Sequence, residues 1–418
     1  MIQDDTVVLQ DMFSAAVQAA DPYSALGPFI PEKPKGQTRV IGAGKGAAQL
    51  AAAFERHWDG PLSGCVVTRY GYGAQTQQIT VLEAAHPVPD ENGLIASQAL
   101  MQEVSGLGPD DLVVALICGG GSSLLPAPPE GFTLADEALL NERLLASGAP
   151  ISAMNAVRKQ FSMIKGGRLA AQVAPARLIT LVVSDVPGDI AAEVASGPTV
   201  PDDKTAQNAM DVIEQYQIDL PDAMLAHIAQ SQSPSPTDSV FQTCETHVIA
   251  SARQSLGAAQ QVARDHGIEA HILSDAIEGE ARDIGAMHGA IACEIAKHNQ
   301  PFPKPVVLLS GGETTVTLRQ KGRGGRNSEF LLSFAQTIDG CEGIAALAAD
   351  TDGIDGSEDN AGAFADGTTA ARLRATGTTS QDYLAQNNAY TAFDSIGDLF
   401  VTGPTGTNVN DFRAIIIR

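Results

Sequence analysis

Several short segments of this 418-residue chain join glycine to charged or hydroxyl side chains directly after apolar runs. The first is Val40-Ile41-Gly42-Ala43-Gly44-Lys45-Gly46-Ala47, which reads as a strand, a glycine turn and a helix start. Such a junction gathers backbone N–H groups at the positive end of a helix dipole and suits an anion. It is not a P-loop, because the four-residue spacer and the Ser/Thr after lysine are both missing. It fits the loose dinucleotide pattern G-x-G-x-x-A, which expects an acid after the next strand for ribose hydroxyls. Here Gly64–Thr68 runs into Arg69 and Tyr70, which argues against NAD and leaves NADP open. Lys45 opposes the dipole of the helix that it precedes, a local conflict that a bound anion would relieve.

The second segment, Cys118-Gly119-Gly120-Gly121-Ser122-Ser123, gives successive N–H groups room to surround a phosphate or carboxylate. The third, Val183-Ser184-Asp185-Val186-Pro187-Gly188-Asp189, sets two carboxylates four residues apart at a strand end. Asp185 and Asp189 could hold Mg²⁺ through waters, or satisfy caps and turn amides. The fourth pairs Ser310-Gly311-Gly312-Glu313 with Gly322-Arg323-Gly324-Gly325-Arg326-Asn327-Ser328-Glu329. Arg326 at a helix start could clamp phosphate oxygens bidentately; an exposed hairpin tip is the alternative. The fifth, Asp350-Thr351-Asp352-Gly353-Ile354-Asp355-Gly356, resembles a calcium loop only superficially, since Ala361 stands where the bidentate Glu belongs. The last, Thr402 to Asn410 with Asn408 inside it, is a small-residue turn that is costly to order without a ligand. The eight histidines show no metal-ligand spacing, and His86, in a proline turn, is either catalytic or structural.

A formal charge of −23 excludes the basic footprint of a nucleic-acid binder and disfavours anionic membranes. An anionic substrate therefore needs a locally positive pocket, for which Lys45, Arg158, Lys165, Arg168, Arg323 and Arg326 are the candidates. The five cysteines never form a C-x-x-C pair, so a disulfide framework is not expected. No basic leader precedes an apolar stretch, and no apolar run approaches the roughly 18 residues of a membrane helix. Cytoplasm is the expected location.

The elements that must position these residues are short β-branched runs alternating with Ala-rich helices. That pattern predicts βαβ units and a largely parallel sheet, with ligands at the carboxyl ends of its strands. The polar stretch Ser231–Ser239, SQSPSPTDS, reads as a linker, dividing the chain into domains 1–235 and 236–418.

Taken in order, GAGKGA, HPVPDENG, CGGGSSLL, SDVPGD with SGPTVPD, SGGETTV, GGRNSE, TDGIDG and TGPTGTNVND closely resemble the bacterial glycerate 2-kinase family. Some members of that family are labelled hydroxypyruvate reductases. The resemblance implies an α/β protein of two α/β domains. The first would be a Rossmann-like three-layer sandwich with a mostly parallel sheet, and the active site would lie in the interdomain cleft. It further implies ATP and Mg²⁺ as cofactors, D-glycerate as acceptor, 2-phosphoglycerate as product, and a monomer or homodimer. The implied catalytic residues are Lys45, Arg326 and Asp185. Gly42, Gly44, Gly119–Ser123, Gly311, Gly312, Glu313 and Asn408 would bind cofactor, and Asp185 and Asp189 metal. Three positions depart from the family pattern: Gly46, Pro187 and Ser328, the last replacing a glutamine. The competing readings are an NAD(P)H-dependent hydroxypyruvate reductase and a silent sugar-acid sensor.

Overall fold

A computed structural model describes residues 3–418. The chain forms two compact units: Ala25–Ile249, and a second in which the segment before Ala25 joins Ala250–Arg418. This differs from the expected division at 235/236, for two physical reasons. The N-terminal helix Gln3–Ala19 belongs to the core of the second unit, where Phe13 meets Phe400 and Phe412 edge-on at 5.1 and 5.7 Å. The polar stretch after Gln230 is bound to the first unit instead of linking the two. Arg168 donates to Ser231 Oγ and the Gln232 carbonyl, and Ser233 donates to Gln160.

The first sheet contains β1 (Thr38–Ala43), β2 (Ser63–Arg69), β3 (Ile79–Ala84), β4 (Leu112–Cys118), β5 (Arg177–Ser184) and β6 (Cys244–Ser251), ordered β3-β2-β1-β4-β5-β6. Strands β1 to β5 run parallel, as the alternation of strands and helices predicts. Their near-continuous apolar sequences follow from burial of both faces. Chain order reverses between β1 and β4, the point at which such sheets open a crevice at their carboxyl ends. A separate helical core lies in the same unit, where Leu140, Leu144, Val157, Phe161, Ile213 and Ile228 pack together.

The second sheet is mixed, not parallel. It contains β7 (Glu269–Glu280), β8 (Val306–Thr315), β9 (Ile344–Asp350), β10 (Gly362–Asp366), β11 (Leu399–Phe400) and β12 (Asp411–Ile417), ordered β11-β10-β9-β12-β8-β7. Only β7 and β8 pair in parallel; β12 lies antiparallel between β8 and β9. The last strand inverts the pattern because it enters the middle of the sheet at the end of the chain. Its alternation is strict: Phe412, Ala414 and Ile416 face one apolar layer, Ile415 and Ile417 the other. Both faces are covered by helices, which makes this unit three layers as well.

Candidate active site

Chemically able side chains form two clusters, each within one unit. In Ala25–Ile249 the loops after β1 and β4 meet at the reversal of strand order. Lys45 N–H donates to the Gly119 carbonyl at 2.8 Å, and Gly46 N–H to Cys118 Sγ at 3.2 Å. Gly44 and Ala47 N–H groups are also satisfied, by Val67 and Gly44 carbonyls. The first glycine loop therefore does not offer these amides to an anion, contrary to the sequence expectation. Its glycines serve close packing: a Cβ at Gly44 would stand 2.3 Å from the Cys118 carbonyl, and one at Gly42 2.6 Å from that of Leu116.

What this loop does present is the Lys45 side chain. It is half-buried, and its amine makes no hydrogen bond or ion pair among the described residues. A Cβ at Gly120 would stand 3.0 Å from both Lys45 Cγ and His86 Nε2, so the lysine stem and imidazole converge over this glycine. Gly120 has φ +80°, and the short helical turn Gly121–Leu124 follows it. Burial first, then the charges of Lys45 and Arg69, push the His86 pKa down to about 4. The imidazole is thus neutral beside two cations. Arg69, at the end of β2, is stacked over the Tyr72 ring at 3.4 Å, and its buried Nε has no partner among the described residues.

At the end of β5, Asp185 stands so close to Gly119 that a Cβ there would meet its Oδ2 at 1.8 Å. Asp189 follows in the 3-10 turn Pro187–Asp189 at φ +54°. Ala195 and Ser196 also adopt left-handed backbone, at φ +54° and +60°, strain of the kind that collects at functional sites. Ser196 Oγ bonds Ser122 Oγ at 2.8 Å and Asn155 at 3.1 Å, and Ser123 Oγ donates to the Gly120 carbonyl at 3.2 Å. The second glycine loop is thereby held by its own hydroxyls.

The other cluster surrounds Arg326, at the start of the helix Arg326–Thr337. Its Nε–H donates to Asp411 at 2.6 Å, Nη1 to Glu313 at 2.8 Å and Nη2 to Asp350 at 2.8 Å. A guanidinium has five N–H groups, so two remain for a ligand. Asp411 also accepts from Asn327, Thr314 and the fully buried Arg413. Burial alone would raise its pKa, but Arg413 and Arg326 outweigh that and hold it below the usual carboxylate range. Asp350 behaves oppositely: burial raises it, and Asp352 and Asp411 add to that, against the pull of Arg326.

Several expected roles change here. Gly311 and Gly312 lie inside β8, paired with β12, not in a loop. A Cβ at Gly312 would stand 2.2 Å from the Ile277 carbonyl, so the glycine admits the irregular β7. The amides at the helix start are taken as well: Asp355 accepts from Asn327 N, Ser328 N and Ser328 Oγ at 2.9, 2.8 and 2.5 Å. Asp352 satisfies the turn amide of Ile354, and Asn408 that of Asn410. Thr405 and Val409 bond to Thr351, so the turn 402–410 is ordered by the protein itself. Among the described residues no group of three or more His, Cys, Asp or Glu has the arrangement of a metal site.

The other cations proposed for a positive pocket are all engaged by protein partners, and of them Arg323 is exposed. Lys165 pairs with Glu137 at 2.8 Å in the core, Arg158 bonds Asn141 and Asn155, and Arg168 bonds backbone carbonyls. Arg323 pairs with Glu358 and stacks on Tyr390. Asp411 and Arg413 were not foreseen. Their signal was two opposite charges at i and i+2, on one face of an otherwise apolar strand.

The family model described as a domain of unknown function (DUF4147) matches residues 8–229, and the MOFRL family model matches residues 306–411. A D-glycerate 2-kinase of Thermotoga maritima is 38% identical over 403 residues, covering 96% of this chain and 95% of its own. The chain belongs to the glycerate 2-kinase family. A crystal structure of glycerate kinase from Thermotoga maritima matches with a TM-score of 0.91 at 36% identity, over 100% of both chains. An Agrobacterium vitis protein called putative hydroxypyruvate reductase is 50% identical over 98% of this chain and 94% of its own. Two departures from the glycerate 2-kinase pattern have local explanations. A Cβ at Gly46 would make an ordinary 3.7 Å contact with Cys118 Sγ, so glycine or alanine fits. Ser328 turns its hydroxyl to Asp355 at the helix start, where it supports the backbone that carries Arg326.

Proposed function

We propose that this protein transfers the γ-phosphoryl group of ATP to the 2-hydroxyl of D-glycerate. The reading is supported by full-length relatives named glycerate 2-kinase and glycerate kinase. The observation that carries it on this chain's own residues is Lys45: a half-buried cation, unpaired among the described residues of a strongly acidic protein, at the reversal of strand order. Anionic phosphoryl groups are the natural complement of such a charge.

In this scheme the β4 loop Gly119–Ser123 receives phosphate oxygens and Lys45 neutralises charge that develops on the transferring group. Arg326 offers its two remaining N–H groups to an anionic group of the substrates. Glu313, the most exposed of its three carboxylates, is the partner that would yield. The glycerate 2-hydroxyl oxygen attacks phosphorus, the bond to the bridging oxygen breaks, ADP departs, and Asp185 accepts the hydroxyl proton. Asp185 and Asp189 also suit Mg²⁺, which keeps several waters and needs only one or two carboxylates beside phosphate. Bound there, the ion would neutralise phosphate charge. Glycine at 119 leaves the room that the Asp185 carboxylate requires. Among the described residues no helix is long and apolar enough to cross a membrane; a cytoplasmic monomer or homodimer fits this reading.

Incubating the full chain with D-glycerate and Mg-ATP and following ³¹P resonances tests the proposal. 2-Phosphoglycerate is the expected product, and its absence at high enzyme concentration overturns the assignment. Hydroxypyruvate-dependent loss of NADH or NADPH absorbance would favour the reductase instead. Against the NADH outcome, the residue after the second strand is Arg69, stacked on Tyr72, not the acid that ribose hydroxyls would want.

A further inference from the structure

Cys293 and Cys341 are 48 residues apart in sequence, and their Sγ atoms stand 2.8 Å apart. That is within an ångström of the roughly 2.0 Å of a sulfur–sulfur bond. The surrounding backbone is already fixed. Gly285, Gly289 and Cys293 follow one another at i, i+4 and i+8 along the helix Ala281–His298, on the face that meets the helix Arg326–Thr337. A Cβ at Gly285 would stand 2.1 Å from the Phe330 carbonyl, and one at Gly289 2.7 Å from Thr337 Cβ, so the two helices touch through their glycines. Cys341 lies just beyond the second helix, where its N–H donates to the Ile338 carbonyl at 2.8 Å. Cys341 also lines a surface cavity of about 590 Å³ with Lys297, Lys304 and Arg418, so a small reagent can reach it.

We propose that Cys293 and Cys341 are a modification site that closes to a reversible disulfide when the protein meets a low-molecular-weight disulfide. The Cys341 thiolate attacks one sulfur of the reagent, forming a mixed disulfide and releasing one thiolate, which takes up a proton. The Cys293 thiolate then attacks the Cys341 sulfur, the new bond forms, and the second reagent thiol departs. Two protein thiols are oxidised and one reagent disulfide is reduced to two thiols. Cys341 acts first because it lines the surface cavity, whereas Cys293 does not. Burial, and then the Cys341 thiol beside it, push the Cys293 pKa up to about 12. Capture of Cys341 removes that second influence. Cys65 and Cys118 have no such neighbour, and burial pushes each up to about 12.

Treating the full chain with oxidised glutathione, followed by non-reducing peptide mapping and thiol titration, tests the site without reference to any enzymatic activity. The expected result is a Cys293–Cys341 cross-linked peptide as the main product and a fall from five free thiols to three. Tm should rise by roughly 5–10 °C, because the bond closes a long loop without moving the backbone. Cys293→Ser should stop at a mixed disulfide on Cys341, and dithiothreitol should restore all thiols. Five unreacted thiols, a persistent mixed disulfide in the unsubstituted protein, or a cross-linked form with a lower Tm would overturn the proposal.

Discussion

Nε of Arg326 donates to Oδ1 of Asp411 at 2.6 Å, while the other oxygen of that carboxylate is held by Arg413. One buried acid thus joins an arginine that can reach a ligand to an arginine sealed in the core. Arg413 packs over the Phe330 ring and donates to Thr314 at 3.2 Å. Replacing Asp411 by Asn leaves the buried guanidinium without its counter-charge, a change that costs about 3–5 kcal/mol. Denaturant titration of Asp411→Asn should show a loss of that order. The double variant Asp411→Asn/Arg413→Met should recover part of it, because the stranded charge is gone. A single variant within about 1 kcal/mol of the parent would refute the account.

Lys45 presents the opposite case. Its amine has no partner among the described residues, so Lys45→Ala should leave Tm nearly unchanged. If the lysine neutralises a transferring phosphoryl group, kcat should fall by about 10²–10³-fold, the usual loss for one preorganised electrostatic contact. Turnover near that of the parent, in a variant of unchanged Tm, would remove Lys45 from the chemistry.

Gly119 tests Asp185 without altering it. The methyl of Gly119→Ala would stand 1.8 Å from Asp185 Oδ2, so the carboxylate must move. Activity should drop at least tenfold, and, if Asp185 holds Mg²⁺, the Mg²⁺ concentration for half-maximal rate should rise, because a displaced carboxylate would hold the ion less well. An unchanged Mg²⁺ dependence alongside lowered kcat would assign Asp185 to proton acceptance alone.

The parts legible in the sequence were those set by local pattern. The apolar runs of β1, β4 and β5, each ending in glycine or a carboxylate, placed the first sheet and its loops. The strand β12 was less visible, because Asp411 and Arg413 interrupt its apolar alternation and only their mutual pairing permits burial. A glycine beside a polar residue marks a close backbone approach as readily as a ligand contact. Gly44 and Gly312 answer to a neighbouring carbonyl, a tertiary fact that no local pattern carries. Asp355 has the same history: twenty-nine positions beyond Arg326, it caps that residue's helix, and sequence spacing alone could not connect them.

His288 makes a pH prediction of definite sign. Its Nδ1 lies 2.9 Å from the Ile284 carbonyl, which can only accept, so Nδ1 carries the proton and Nε2 accepts from Ser310 Oγ at 3.1 Å. Burial pushes the pKa down to about 4, whereas an unfolded histidine titrates near 6.5. Above pH 6.5 both states are neutral and the group contributes no slope. Between 6.5 and 4 the unfolded chain takes up a proton that the native protein refuses, so stability falls as pH falls. Below about 4 the loss stops growing, having reached at most roughly 3 kcal/mol. His86 has the same sign but a smaller effect, because solvent reaches part of its ring. Carboxylates titrate in the same range, so the measurement is a difference. Unfolding free energies at pH 7 and pH 4.5 should diverge less in His288→Asn than in the parent protein. Equal divergence would mean that the native imidazole accepts its proton as readily as the unfolded one.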